Sequence, residues 1–498
     1  LVTGVQTCAL PILTINHEYM KKRRFGWGLL LPLVAMMAAC SPRETTLVVL
    51  STNDMHARIQ NFPRLAAAVE ACRDTVCTVL VDAGDRWTGN AYVDRAPVPG
   101  LPVIALMNRL GYDAATLGNH EFDFGQAYLG RMIDSMDFPV VCANVVSDTC
   151  TFPQLPPSVV IEREGVRIGL VGVVTNYEGP GHPAGNAASF AGLRFPDPQQ
   201  AARRCAEELR PKVDLLILVS HMGDDRDAEL LASETRYDLV IGGHTHELRD
   251  TLVNGTLLTQ TGKNLANIGA AVVRLRGGKV TGVDYRIIPL EGYEPDPQYE
   301  AEVDRYYADP ELNRPVGEFA RAADAWGVAN WMVRAVTDEE DAEVGFYHIG
   351  GVRLDSIPAG GMSTARIFDL EPFGSRVAVA RMTPADMRRM ILAKYNDTQN
   401  RKESHRIDLI STTPYTIITN AADSALDVRF PKLREGRSYR VALSDYVFKN
   451  YHELNCTEGR ITDTKVTDVL LEELEEHSPL EPDNRPLQRI ARPVTELR

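Results

Sequence analysis

Seven short apolar runs, several of them separated by stretches of helical length, set the strongest constraint on how this chain folds. The runs lie at 47–51, 76–81, 114–117, 166–174, 215–219, 239–241 and 256–260, and they are rich in Val, Ile and Leu. A strand that does not alternate apolar with polar residues is one covered on both faces. Segments 62–73, 103–110, 126–136 and 198–209 supply the helices that cover it. A layered α/β domain is the expected product. At 498 residues the chain exceeds what one core organises. Domains of roughly 100–200 residues are usual, so two or three are expected.

Segment 293–315 changes character, with Pro295, Pro297, Pro310 and Pro315 around a charged stretch, 299–307, that reads as a helix. It is the expected connection between a first domain over 45–292 and a second α/β unit over 316–498, and a hinge there would let the two move. The second unit is expected to hold a helix near 327–336, a strand and turn over 344–353, a helix over 383–394 and a strand over 438–443. No repeat or low-complexity tract is present.

Residues 1–19 look like translated adapter sequence. From Met20 the chain reads as an export signal: Lys21-Lys22-Arg23-Arg24, an apolar stretch to about residue 36, then Met37-Ala38-Ala39-Cys40. The last four resemble a bacterial lipobox, so 20–39 is expected to be a lipoprotein signal and Cys40 the lipidated residue. The mature chain would then be anchored to the cell envelope, facing the periplasm or the cell surface. An ordinary signal peptide is the alternative. The apolar stretch falls short of the roughly 20 residues a membrane span needs, so membrane contact is expected only through the lipid. Eight cysteines become six once Cys8 and Cys40 are set aside. In an exported protein Cys72 and Cys77, and Cys142 and Cys150, are close enough in sequence to form disulfides. Cys205 and Cys456 read as buried thiols.

The polar clusters carry the chemistry, and each follows an apolar run: Asp54 and His56, Asp85 in DAGD, Asn119 and His120, His221, then His244 and His246. Open α/β sheets gather ligands at the carboxyl ends of their strands. A lone buried His or strand-end Asp is structural more often than not, but five segments delivering such residues to one edge is hard to explain structurally. Carboxylate and imidazole donors with one amide oxygen suit two borderline divalent ions such as Zn²⁺ or Mn²⁺. Such a pair polarises a phosphoryl oxygen and lowers the pKa of a bound water. Gly84, Gly118, Gly242 and Gly243 flank the ligands and let the backbone turn tightly there. The net charge of −14 argues against a nucleic-acid polymer as partner. It does not exclude a small phosphorylated substrate, because bound ions dominate the local field.

TNDMHAR, DAGDRWTGN, TLGNHEFDFG, VSHMGDD and GGHTHE resemble the calcineurin-like metallophosphoesterases, in the order and spacing of the bacterial 5′-nucleotidase/UDP-sugar hydrolase branch. FPVVCANV and TQTGKNLANIG resemble that branch's intervening segments. The resemblance implies an N-terminal layered α/β/β/α metallophosphoesterase domain and a C-terminal α/β substrate-binding domain. It implies that Asp54, His56 and His246 hold one metal ion, that Asn119, His221 and His244 hold a second, and that Asp85 bridges them. Asn119 is also expected to contact the substrate. His120 would sit beside the phosphate without ligating a metal, and Asp123 would orient its imidazole; a helix N-cap is the alternative role for Asp123.

For the second domain the resemblance implies a substrate loop in HIGGVR, containing His348, Gly350 and Arg353, with Arg353 on phosphate. Phe373 in EPFGS and Tyr446 in LSDYVF stand at the positions of two base-stacking aromatics. Core packing is the alternative for both. The chain also departs from the family pattern. His348 replaces an amide that would read the base. Asn450-Tyr451-His452-Glu453 replaces a glycine-rich loop, putting His452 at the ribose-binding Asp. Arg321 is a candidate phosphate contact. The implied activity is hydrolysis of nucleoside 5′-monophosphates by a metal-activated water. Cyclic 2′,3′-nucleotides, UDP-sugars and sulfur-linked substrates are the alternatives, and a non-catalytic surface binding lipoprotein is the reading from a different class.

Overall fold

The computed structural model describes residues 44–177, 181–397, 406–451 and 453–492. The described residues fall in one compact unit. The expected lipoprotein signal, 20–39, and Cys40 lie outside the described residues, as does His452.

Two sheets form the N-terminal half. The first runs in the order Lys279–Pro289, Asn267–Arg276, Glu44–Thr52, Thr78–Asp82, Ala114–Ala115. Its last three strands are parallel, while Asn267–Arg276 lies antiparallel to Glu44–Thr52. The second runs Leu248–Val253, Thr256–Thr261, Leu239–Ile241, Leu215–His221, Val166–Val174, Ser158–Arg163, with its four middle strands parallel. Every apolar run singled out in the sequence is a strand of one or the other.

Alternating side chains explain the layering. Leu47, Val49, Val79 and Val81 from the first sheet pack in one core with Ile168, Leu170, Ile217, Val219 and Ile241 from the second. The alternate residues of the second sheet, Val171, Val173, Leu216, Leu218 and Val240, face a separate core with Ala201, Ala202 and Ala206 of helix Pro198–Leu209 and with Leu230 and Leu231. On the first sheet Val48, Leu50 and Leu80 are also buried, as a covered outer face requires. The result is the expected α/β/β/α stack. Helix Phe62–Arg73 has the expected bounds, with Pro63 in its first turn, and Pro198–Leu209 is capped by the Asp197 side chain. Helix Gln126–Ile133 stops three residues short of expectation.

Helix Pro297–Tyr307 marks the passage into the C-terminal half. The Asp296 carboxylate caps it, and Tyr299 is held by Phe62 (ring centroids 6.1 Å apart) and by the Arg109 guanidinium 4.1 Å away. The second half is built on a sheet in the order Leu409–Ser411, Val344–His348, Tyr439–Ser444, Arg376–Met382, Thr457–Lys465. Helices Ala325–Glu339 and Val466–His477 cover one face, and Pro384–Asn396, started by a Thr383–Asp386 capping box, covers the other. No described helix is long and apolar enough to cross a membrane.

The expected disulfides are not formed: Cys72, Cys77, Cys142 and Cys150 are all free thiols. Local packing engages them otherwise. The Thr78 hydroxyl points at the Cys72 sulfur (3.5 Å), and the Cys142 thiol donates to Asn144 (3.5 Å). Cys205 is buried as expected, whereas Cys456 is only half-buried.

Glu371 gives the fold a pH signature. It is buried and accepts from the Ser375 amide and hydroxyl at 3.1 and 2.6 Å. Burial nevertheless pushes its pKa up to about 7. A carboxyl raised in the folded state favours folding below its unfolded value, and that contribution is lost as pH rises through about 7. Each pH unit between the two values costs about 1.4 kcal/mol. The stability advantage of the wild type over Glu371→Gln should therefore shrink between pH 5 and pH 8, as measured by urea unfolding across that range.

Candidate metal centre

Strand ends from both sheets converge. Asp54 and His56 follow Glu44–Thr52, Asp85 follows Thr78–Asp82, and Asn119 and His120 follow Ala114–Ala115. From the second sheet, His221 ends Leu215–His221, and His244 and His246 follow Leu239–Ile241. Asp54, His56, Asp85, Asn119 and His221 are all buried.

The spacing brings the expected donors together. The His221 Nε2 lies 3.1 Å from Asp85 Oδ2 and 3.9 Å from Asp54 Oδ1. His246 Nε2 lies 3.6 Å from Asp54 Oδ1 and 3.0 Å from His56 Nε2. His244 Nδ1 is 3.0 Å from Asn119 Oδ1. Among the described residues, three groups of donors are each compact enough to surround one ion: Asp54 with His56 and His246, His56 with Asp85 and His120, and Asp54 with Asp85 and His221.

The hydrogen bonds test whether metal ions fit here. His221 Nδ1 faces the Ala83 carbonyl at 2.6 Å and His56 Nδ1 faces the Thr88 carbonyl at 3.1 Å. A carbonyl only accepts, so each Nδ1 carries a proton, and in the neutral imidazole each Nε2 presents a lone pair. Those lone pairs face carboxylate oxygens in one case and another imidazole nitrogen in the other. Acceptors packed against acceptors in a buried site need positive charge between them. Divalent cations would supply it, and the mixture of carboxylate, imidazole and amide is a donor set that borderline ions accept. Without them the charge falls on protons. Burial opposes a charged His221, but Asp85 and Asp54 outweigh it and push its pKa up to about 10. Burial pushes Asp54 up to about 6. Asp85 is held well below the carboxylate range because His221 and His120 outweigh its burial. His56 and His246 are pushed well down, first by burial and then by the Arg353 guanidinium.

Backbone strain concentrates at the same residues. Asp54, His56, Asp85, His244 and His246 all have positive φ, between 45° and 84°. Non-glycine residues adopt this region at a cost of order 1–3 kcal/mol each, and they persist there only when the surroundings over-determine them. Two close approaches show how little room the loops leave. A Cβ on Gly118 would stand 2.1 Å from Asp85 Oδ1, and one on Gly243 would stand 2.8 Å from His221 Nδ1.

Four residues not singled out from the sequence hold this arrangement. The buried Glu121 carboxylate accepts from the amides of Asp85 (2.9 Å), Arg86 (2.8 Å) and Gly118 (2.5 Å). Arg86, fully buried, pairs with Asp82 at 3.0 Å and donates to the Thr116 carbonyl at 2.7 Å. Asn53 donates to Asp54 Oδ2 at 2.6 Å. Asp94 collects the amides of Thr88, Gly89 and Asn90. Three of the four stand inside TNDMHAR, DAGDR and GNHEF, and their place within those motifs was the available signal.

His120 is oriented by its neighbours. Its Nδ1 lies 2.7 Å from Asp123 Oδ2, and its amide donates to Asp85 Oδ1 at 2.8 Å. Burial opposes its charged form, but Asp123 and Asp85 prevail and raise its pKa. Asp123 follows the short helical turn His120–Phe122, and the next helix is capped by Gly125, so the N-cap alternative for Asp123 does not hold.

The C-terminal half reaches this centre. Arg353 Nη2 lies 3.3 Å from both ring nitrogens of His56. Phe373 stacks on His120, ring centroids 5.7 Å apart and planes 23° apart. Tyr446 stacks instead on His348, at 4.4 Å and 25°, while His348 Nδ1 lies 3.2 Å from the Ser444 hydroxyl. Gly350 adjoins that ring: a Cβ there would be 3.7 Å from His348 Cδ2. Tyr451, in the segment that replaces the glycine-rich loop, donates its hydroxyl to Asp408. Arg321 pairs elsewhere: Glu481 at 3.0 Å and the Pro482 carbonyl at 2.8 Å hold it, because its neighbours pair with the 478–484 segment.

Comparison with known proteins agrees with this geometry. Residues 47–248 match the Calcineurin-like phosphoesterase family, and residues 312–458 match the 5′-nucleotidase C-terminal domain. The two matched segments carry these family domains, and the chain is similar to calcineurin-like phosphoesterases that have this C-terminal domain. It is 25% identical over 414 residues to the trifunctional nucleotide phosphoesterase protein YfkN of Bacillus subtilis, covering 71% of this chain but only 28% of that protein. It is 25% identical over 438 residues to a 5′-nucleotidase of Vibrio cholerae, covering 70% of this chain and 77% of the relative. A 5′-nucleotidase precursor from Thermus thermophilus has the same fold, with a TM-score of 0.79 over 89% of this chain and 99% of that one, at 20% identity.

A ligand that binds only the folded state stabilises it, by about 2.7 kcal/mol at a hundredfold excess over its Kd. Mn²⁺ or Zn²⁺ should accordingly raise the melting temperature, a chelator should reverse the rise, and Asp85→Asn should largely abolish it. Differential scanning calorimetry reads all three.

Proposed function

We propose that this chain is an exported dimetal phosphohydrolase that releases phosphate from nucleoside 5′-monophosphates. The observation that carries the reading is the approach of Arg353 to His56, 3.3 Å from both ring nitrogens, which sets a guanidinium from one half of the chain against a metal ligand of the other. A planar fork of N–H donors beside two cations is a receptor for a phosphate dianion.

Asp54, His56 and His246 hold one ion in this reading, Asn119, His221 and His244 the other, and Asp85 bridges. Two such ions, when bound, polarise the phosphoryl group and lower the pKa of a coordinated water to near neutrality. The chain's own groups do the rest. Arg353 pairs with phosphate oxygens and orients the ester. His120, with Nδ1 fixed on Asp123, presents Nε2 to the leaving oxygen or to the charge that develops on phosphate. Asp123 holds the imidazole in the tautomer this requires and favours its protonated form. Beyond the phosphate, Phe373 and Tyr446 offer ring faces to the base, each stack contributing about 1–3 kcal/mol. His348 and Gly350 shape the loop from which Arg353 emerges. Export rests on the sequence of residues 20–40 and predicts a lipid on Cys40. Labelled palmitate should enter the wild type in a bacterial host and not Cys40→Ser.

Turnover tests the rest. Purified chain with Mn²⁺ should release phosphate from AMP, and its rates on 2′,3′-cyclic nucleotides, UDP-sugars and a thiosulfate-type ester rank the alternatives. His120→Ala should lose about 10²–10⁴-fold in kcat while keeping its metal content. Arg353→Ala should mainly raise KM, by roughly 10–100-fold for a lost charge-assisted bond. AMP hydrolysis undiminished in His120→Ala would overturn the mechanism, and a metal-loaded protein that cleaves no phosphoester would favour a binding role.

A further inference from the structure

The metal ligand His56 is gripped by a turn, and the far end of that turn is held from the other half of the chain. Thr88 offers its carbonyl to His56 Nδ1 at 3.1 Å. Gly89 packs so closely on His56 that a Cβ there would meet the His56 carbonyl at 3.3 Å. The Asn90 side chain donates to the carbonyl of the adjoining Ala57 at 2.7 Å. The turn therefore touches His56 at its ring, its backbone and its neighbour.

Four successive amides of this turn are satisfied by two buried carboxylates. Asp94 accepts from Thr88 (3.1 Å), Gly89 (2.7 Å) and Asn90 (3.0 Å). Ala91, the fourth, is 1% exposed and donates to Asp369 Oδ1 at 2.8 Å. Asp369 lies on helix Thr364–Leu370, 278 residues downstream. Its other oxygen faces Arg58, two residues beyond His56, at 3.5 Å, and Arg366 at 4.0 Å. These guanidinium groups offset the repulsion between two neighbouring buried carboxylates. Apolar contacts surround the bond: Ala91, Leu312 and Ala365 form a small core, and the Arg95 guanidinium lies 3.8 Å over the Phe368 ring.

We propose that Asp369 is a positioning residue for the metal ligand His56, acting through turn 88–91, so that docking of the C-terminal half tightens the metal centre of the N-terminal half. The inference rests on the dimetal reading of the site. Residues that orient a metal-ligating histidine through its second nitrogen are worth roughly 10–100-fold in metal affinity. Asp369 acts one bond further out, through the peptide whose carbonyl holds that nitrogen.

Equilibrium dialysis of the full chain against Mn²⁺ tests this without reference to any substrate. Asp369→Ala should weaken one of the two Mn²⁺ ions by about tenfold, the lower end of the effect of direct partners. Asp369→Asn keeps an oxygen that accepts from Ala91 and should bind close to wild type. Ala91→Pro deletes the same hydrogen bond from the donor side, at a first helical position where proline is tolerated, and should reproduce the alanine defect even if Asp369→Ala folds poorly. Phe368→Ala, which loosens the same contact without touching the hydrogen bond, should lower the melting temperature and leave Mn²⁺ affinity unchanged. Wild-type Mn²⁺ affinity in folded Asp369→Ala or in Ala91→Pro, or an equal loss in Phe368→Ala, overturns the proposal. Because the readout is metal binding, failure to hydrolyse nucleotides would leave this result interpretable.

Discussion

The candidate metal centre depends on one buried carboxylate that belongs to none of its donor groups. Glu121 draws the amides of Asp85, Arg86 and Gly118 onto a single buried group, and so ties the loop after one strand to the loop after the next. Removing it would leave three buried donors unsatisfied, at about 1–3 kcal/mol each. The buried Arg86, paired with Asp82 and 3.6 Å from Glu121, balances the charge. Asp85 can hold a left-handed backbone because this clamp leaves it no alternative. Donor geometry here is a product of packing beneath the site, so the donors would be in place before any ion arrives.

Much of this was legible in the sequence, for physical reasons that differ by residue. The strands of the first half could be read because doubly covered strands carry unbroken apolar runs, and their ligands because an α/β sheet gathers polar groups at its carboxyl edge. The placing of His221 and His246 near Asp54 needs no knowledge of contacts, only of position at or after a strand's end. Glu121, Arg86 and Asp94 were silent because a buried charged residue looks the same in sequence as an exposed one. The disulfide expectation failed because closeness in sequence does not fix how the Cβ vectors point. Arg321 was misplaced because the start of the second half lacks a sharp motif to set its register.

The aromatic residues fall between these cases. Position relative to family motifs pointed to Phe373 and Tyr446, but their neighbours decide what faces remain. Phe373 lies against His120, and Tyr446 against His348. His348 is thus part of a stack that begins at Tyr347, 5.3 Å away, rather than an isolated replacement for an amide. Burial pushes its pKa down to about 4, so it is neutral across the physiological range and can meet a ring without charge.

The order of strands has a consequence for how the molecule comes into being. Glu44–Thr52, the first described strand, pairs along its length with Asn267–Arg276, and the carboxylate and imidazole that follow it await His244 and His246. A chain emerging from the ribosome or through a membrane pore therefore carries Asp54 and His56 for nearly two hundred residues before their partners arrive. Pairings of such long sequence separation form late and slowly. Capture of metal by the complete set would in this sense record that the first half has finished folding, and a chain cut short before residue 239 would present a charged, incomplete cluster with nothing to close it.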